Sequence, residues 1–192
     1  MTIQTFGHYV DPSESGEESI QISFSFVAHA RKLRWQGGGL STRFLVEYWE
    51  AFFPLHERLP MNKKTAIGHT IRFVANELME NLLKYSTQEI GQPGQVALYF
   101  PPDLMRFYIT HPVTNQVAQE FQAFIHELLT EDPNELYIRQ MEANMLEENE
   151  SSSRMGFLTL LTDYDATLGW AFEDTQNSAD STVVTTMVQL AL

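Results

Sequence analysis

Residues 62–85 constrain the fold more than any other stretch. Ile67, Ile71, Val74, Leu78 and Leu82 recur there at helical spacing and form a continuous apolar stripe. Beside that stripe run polar residues that a plain core helix does not need. With Glu77 placed at zero on a helical wheel, Asn81 lies roughly 40° to one side and Lys84 roughly 20° to the other. Val74 follows at roughly 60°, Ile67 at roughly 80° and Leu78 at roughly 100°, with Phe73 at roughly −40°. Glu77, Asn81 and Lys84 therefore leave the helix as one narrow strip at the edge of a core. An unpaired carboxylate in that position costs on the order of several kcal/mol. A partner side chain, water, a metal ion or a ligand has to satisfy it. The plainer alternative is an amphipathic surface helix. There Glu80 and Lys84 form an ordinary i,i+4 pair, while Glu77 and Lys84, two turns apart, do not meet.

The remaining pattern predicts an α+β domain. Residues 1–19 are polar and acidic and read as a mobile leader. SIQISFSFVA alternates Ile20, Ile22, Phe24 and Phe26 on one face, as a half-buried strand does. RWQGGGL (34–40) is a turn, and Ser41 or Thr42 then caps a helix that Pro54 ends. In that helix Phe44, Leu45, Tyr48, Trp49 and Phe52 fall at helical spacing. GQPG (91–94) is a turn before two strands, QVALYF and LMRFYIT, joined at Pro101, Pro102 and Asp103 as a hairpin. Helices are expected at 115–130 and 134–148, the second carrying Tyr137, Met141 and Met145 four apart. SSSR (151–154) reads as a flexible break, MGFLTLLTDY as a short helix, and ATLGWAF and STVVTTMVQLAL as two strands. Helices and antiparallel hairpins are segregated, which favours α+β over an alternating parallel sheet.

Composition narrows the function. The 192 residues suit one domain, residues 20–192, and contain no cysteine, which excludes disulfides and thiol catalysis. A formal net charge of −13 opposes nucleic acid and anionic membrane surfaces as partners. Glu142, Glu147, Glu148 and Glu150 crowd one region, as a solvated face does. The start has neither the basic residues nor the apolar run of a signal peptide, and no apolar run reaches membrane-spanning length, so a cytoplasmic chain is expected. The six histidines lack ligand spacing. RWQGGGLS lacks the lysine of a P-loop, and no GxSxG nucleophile motif occurs. The aromatics of FLVEYWEAFFP suit a core or a dimer face.

ExxxNxxKY, spelled by Glu77, Asn81, Lys84 and Tyr85, resembles the N-box of the GHKL ATPases, a superfamily that includes gyrase, Hsp90, histidine kinases and MutL. The order of elements over residues 20–192 resembles theirs. Residues 115–153 stand where their ATP lid lies, and the segment from Gly156 stands at their second glycine box. Within the superfamily the small size, the N-terminal strand and the partly eroded boxes most resemble SiaB-type regulators, including cyanobacterial proteins with an RW…GL…FL…YW…FFP opening; these are serine kinases that act on small STAS-like partner proteins. The resemblance implies a GHKL sandwich that binds ATP or ADP with Mg²⁺. It implies Asn81 as the magnesium ligand, a hard oxygen donor, and Glu77 as the catalytic base toward the γ-phosphate. Lys84 and Arg154 would add charge near phosphate, and Gly156 would let backbone approach it. The first glycine box, DxGxG, is missing. HPVTNQ follows the strand instead, with His111 near the place of the adenine-binding aspartate. Intact Glu77 and Asn81 favour a nucleotide-dependent regulator and kinase. The lost aspartate favours a scaffold that works only as a protein-binding adaptor, or one that holds another adenine-containing ligand. A homodimer through the first strand and helix is the expectation by analogy of fold.

Overall fold

The computed structural model describes residues 3–15, 18–24, 42–51, 59–87, 93–146, 152–174 and 180–192. The triple-glycine turn at 34–40, the helix end at Pro54, positions 91 and 92 of the GQPG turn, and Glu147, Glu148 and Glu150 lie outside them.

Six strands form one antiparallel sheet in the order β1-β5-β6-β4-β3-β2. They are β1 (Ile3–Gly7), β2 (Ser19–Phe24), β3 (Gly94–Tyr99), β4 (Leu104–Thr114), β5 (Thr167–Asp174) and β6 (Ser181–Ala191). β4 and β6 are the long central strands, paired from Leu104 opposite Ala191 to Thr114 opposite Ser181. Helices cover one face: α1 (42–51), α2 (Met61–Tyr85), α3 (Asn115–Thr130), α4 (Pro133–Leu146) and α5 (Ser152–Thr162). The arrangement is the α+β sandwich that the segregated pattern predicts. No helix among the described residues is long and apolar enough to cross a membrane.

The core lies between the helices and one side of the sheet. Period two on the strands delivers Val96 and Leu98, Phe107 and Ile109, Leu168 and Trp170, and Val184 and Val188 to it. Period 3.6 on α2 delivers Ile71, Val74, Leu78 and Leu82, all with 0 % exposure, as the stripe requires. α1 departs from its expected face. Leu45, Val46 and Trp49 are buried, while Phe44 keeps 49 % of its surface. α5 begins at Ser152, so helix replaces the expected break over the last three residues of SSSR.

Residues 3–15, expected within a mobile leader, are instead built into the sheet. β1 pairs with β5 at one edge while β2 pairs with β3 at the other, and residues 8–15 run over the face away from the helices. Tyr9 and Val10 pack there on Ala97, Tyr108 and Met187. The Tyr108 hydroxyl donates to the Val10 carbonyl at 2.9 Å and contacts the Ser15 hydroxyl, which is fully buried. Gly169 makes this crossing possible, because a Cβ there would stand 2.5 Å from both the backbone nitrogen and Cα of Tyr9. Backbone cannot yield as a flexible side chain does. Gly169→Ala is therefore expected to lower stability by about 1–3 kcal/mol and to expose residues 3–15 to protease. Unchanged unfolding and proteolysis would mean that the strap contributes nothing to the fold.

Candidate functional site

α2 runs along the boundary between the sheet and α5, and of its polar strip Asn81 and Glu77 turn inward while Lys84 is exposed. Asn81 is buried, with 8 % of its surface exposed. It lines a cavity of about 100 Å³ together with Tyr85 from the same helix, His111 and Val113 from β4, and Thr186 from β6. Val117, Glu120, Phe121 and Phe124 of α3 and Arg154 and Phe157 of α5 complete the wall. The structure thus brings three of the six sequence candidates, Asn81, His111 and Arg154, to one space.

Two polar groups on this wall, Asn81 and His111, are short of partners among the described residues. The side-chain amide of Asn81 makes no hydrogen bond among the described residues. His111 is 4 % exposed, and its Nδ1 has no hydrogen-bond partner among the described residues. Burial drives its pKa down to about 4, against a weaker opposing influence from the Pro112 backbone, so the ring is neutral at pH 7. A neutral imidazole carries one donor and one acceptor. Buried polar groups of this kind are normally satisfied by protein, ordered water or a ligand. Apolar side chains surround them: Phe121 lies 5.8 Å from Phe157 and Phe124 lies 6.3 Å from Phe157, centroid to centroid. The Arg154 guanidinium sits over the Phe124 ring at 5.1 Å, which holds a cation at the rim.

Glu77 and Gly156 meet each other outside the cavity wall. A Cβ on Gly156 would fall 1.9 Å from Oε2 of Glu77 and 2.9 Å from its Cδ, so the carboxyl group rests directly over the glycine. Phe73 stacks on Tyr164 at 4.8 Å one turn earlier along α2, which fixes α2 and α5 as antiparallel neighbours. Glu77 is half-buried and makes no hydrogen bond or ion pair among the described residues. Burial raises its pKa above the usual carboxylate range, with a smaller contribution from Glu80. Lys84 projects to solvent, its ammonium 5.5 Å from the centre of the Tyr85 ring. It does not line the cavity.

The walls supplied by α3 carry the residues that sequence reasoning missed. Val117, Phe121 and Phe124 recur at spacings of four and three, an ordinary amphipathic signal that marks a buried face without saying what it faces. The Thr114 hydroxyl accepts from Val117 N–H at 3.3 Å and caps α3 at the end of β4, which turns this face toward the cavity.

The whole-chain shape can be set against solved structures. One that matches is a chain from the crystal structure of the SiaB–SiaC complex from Pseudomonas aeruginosa, with a TM-score of 0.59 over 89 % of each chain. The fold is SiaB-like. Sequence identity in that superposition is 12 %, so the likeness carries the architecture alone. No protein-family model and no curated protein matches the sequence.

The SiaB-like core encloses His111 deeply enough to show in acid stability. Its folded pKa lies below the ordinary value of 6.5, so the unfolded chain takes up a proton first as pH falls. Its contribution to stability is complete above pH 6.5 and is lost between there and about pH 4. The full loss is about 3 kcal/mol. Denaturant unfolding at steps through that range is expected to show this slope in the wild type and to show it removed in His111→Leu. Equal slopes in the two proteins would contradict the buried neutral ring.

Proposed function

We propose that this chain is a cytoplasmic signalling regulator of the bacterial partner-switching type, with a nucleotide site of GHKL kind and a small STAS-like protein as its partner. The observation that supports it most is Asn81, a carboxamide 8 % exposed that faces the cavity without a hydrogen bond among the described residues. The donor set suits an adenine nucleotide with magnesium. His111 offers a ring nitrogen without a hydrogen-bond partner among the described residues, set among aromatic walls at one side, Asn81 offers an oxygen to magnesium, and Arg154 offers a cation to phosphate. Bound magnesium ATP supplies an activated phosphoryl group and neutralises charge as that group leaves. The half-buried Glu77, with its raised pKa, is suited to take the proton from the partner's serine hydroxyl. The SiaB-like fold, seen in a solved complex of SiaB with SiaC, supports a protein partner.

A second reading has two observations in its favour. The cavity of about 100 Å³ is well short of the ~300 Å³ at which ligand pockets usually begin. The Glu77 carboxyl also rests on Gly156, where the family's glycine box would admit phosphate. On this reading the chain is an adaptor that binds its partner without nucleotide, or the cavity holds another adenine-containing ligand.

Calorimetric titration with ATP and with ADP, each with and without Mg²⁺, separates these readings. The nucleotide reading expects magnesium-dependent binding, weakened at least about tenfold in Asn81→Ala, an effect the size of one lost charge-assisted contact. A well-folded protein that binds neither nucleotide overturns it in favour of the adaptor. In the kinase reading, Glu77→Gln lowers transfer to the partner by about 10²–10⁴-fold and leaves nucleotide affinity in place. It also raises stability at neutral pH, because an amide is cheaper to bury than a carboxylate. Undiminished transfer would remove Glu77 as the base.

A further inference from the structure

α4 buries one side and leaves the other bare. Leu136 is 4 % exposed and, with Gln140 and Ala143, faces Leu158 and Arg154 of α5 across a cleft. On the outer side Ile138 is 58 % exposed, Met141 38 % and Met145 77 %. With Ile138 at zero on the wheel, Met145 lies at roughly −20° and Met141 at roughly −60°, so the three make one stripe. Glu142 at roughly 40° and Glu135 at roughly 60° flank it along one side. Isolated exposed apolar residues are ordinary, but three in register on one helix face are a surface in waiting. Two are methionines, whose flexible, polarisable side chains adapt to the shape of a partner.

We infer that the outer face of α4 is the docking surface for the partner protein, through a complementary surface that is apolar at its centre and basic at its rim. The inference rests on the partner-protein reading above and specifies where that partner sits. Charge selects the occupant. Glu135 and Glu142 border the stripe, and the chain carries a formal net charge of −13, so a second copy would bring like charge against like. Nucleic acid offers no apolar counterpart and the wrong sign. A protein face with Lys or Arg around an aliphatic or aromatic centre matches both features. The surface is also joined to the cavity. Arg154 and Phe124 border both the cleft under α4 and the cavity lined by Asn81, so two side chains are shared by the two spaces.

The test places a photo-crosslinking amino acid in the full chain, in its native cells, either at Met141 or at Gln4 on the far β1 edge. The expected result is a single heterologous protein captured from Met141 and not from Gln4. That protein, purified, is expected to bind the wild type and to lose at least about tenfold in affinity with the exposed pair Ile138→Asp and Met145→Asp. Glu135→Lys with Glu142→Lys is expected to weaken binding and flatten its salt dependence. Capture from Gln4 alone, or affinity indifferent to all four substitutions, overturns the docking surface and leaves the partner reading standing. Capture of a second copy of this chain overturns the charge argument and the inference with it. No captured protein from either position overturns both the surface and the partner reading.

Discussion

The desolvation of the polar strip on α2 is the constraint around which the helical face is organised. Leu78 and Leu82 must be buried to anchor α2 on the sheet, and the helix cannot bury them without carrying Glu77 and Asn81 inward beside them. Each polar group then needs its own accommodation. Asn81 receives a cavity. Glu77 receives the one position on α5, Gly156, where no Cβ stands in the way of its carboxyl group. Any other residue at 156 would push either the carboxyl group or α5 aside, so the packing of these helices and the placement of a half-buried acid are the same fact. The raised pKa of Glu77 is the electrostatic trace of that compromise. A structure selected for stability alone would have placed an apolar side chain there.

The same logic explains what the sequence disclosed. Residues 62–85 were legible because period 3.6 and the polar strip survive in a single wheel, and Asn81 falls in the structure where the wheel puts it. β3 to β6 were legible through alternation and turn chemistry. The strap over the back of the sheet was not, because its anchors are long-range and made by side chains of no special pattern: Tyr108 to Val10, and Gly169 beneath Tyr9. A polar, acidic start gives no local sign of such packing. His111 was noticed for its position after a strand, but its complete burial depends on Phe121, Phe124 and Phe157, which arrive from α3 and α5. The separation of Lys84 from the cavity was likewise beyond reach, since a wheel gives the direction of a side chain and not the distance to the opposite wall.

α3 and α5 close over the sheet, and α4 lies outside them with its apolar stripe turned away. This layering divides the labour. The inner helices shape a small space with unsatisfied polar groups, and the outer one offers a surface. Arg154 and Phe124 lie at the boundary of both. The SiaB-like fold thus places a small buried cavity and an exposed apolar stripe within one helical layer.

The central claim is that Asn81 and His111 face a ligand, and nuclear magnetic resonance of the side chains themselves tests it most directly. The account expects the Asn81 side-chain amide and the His111 ring nitrogens to shift together and saturably as magnesium ATP is added, while signals from Tyr108 on the opposite sheet face stay fixed. Unmoved Asn81 and His111 signals in a folded protein, at concentrations where nucleotide is in large excess, would contradict it.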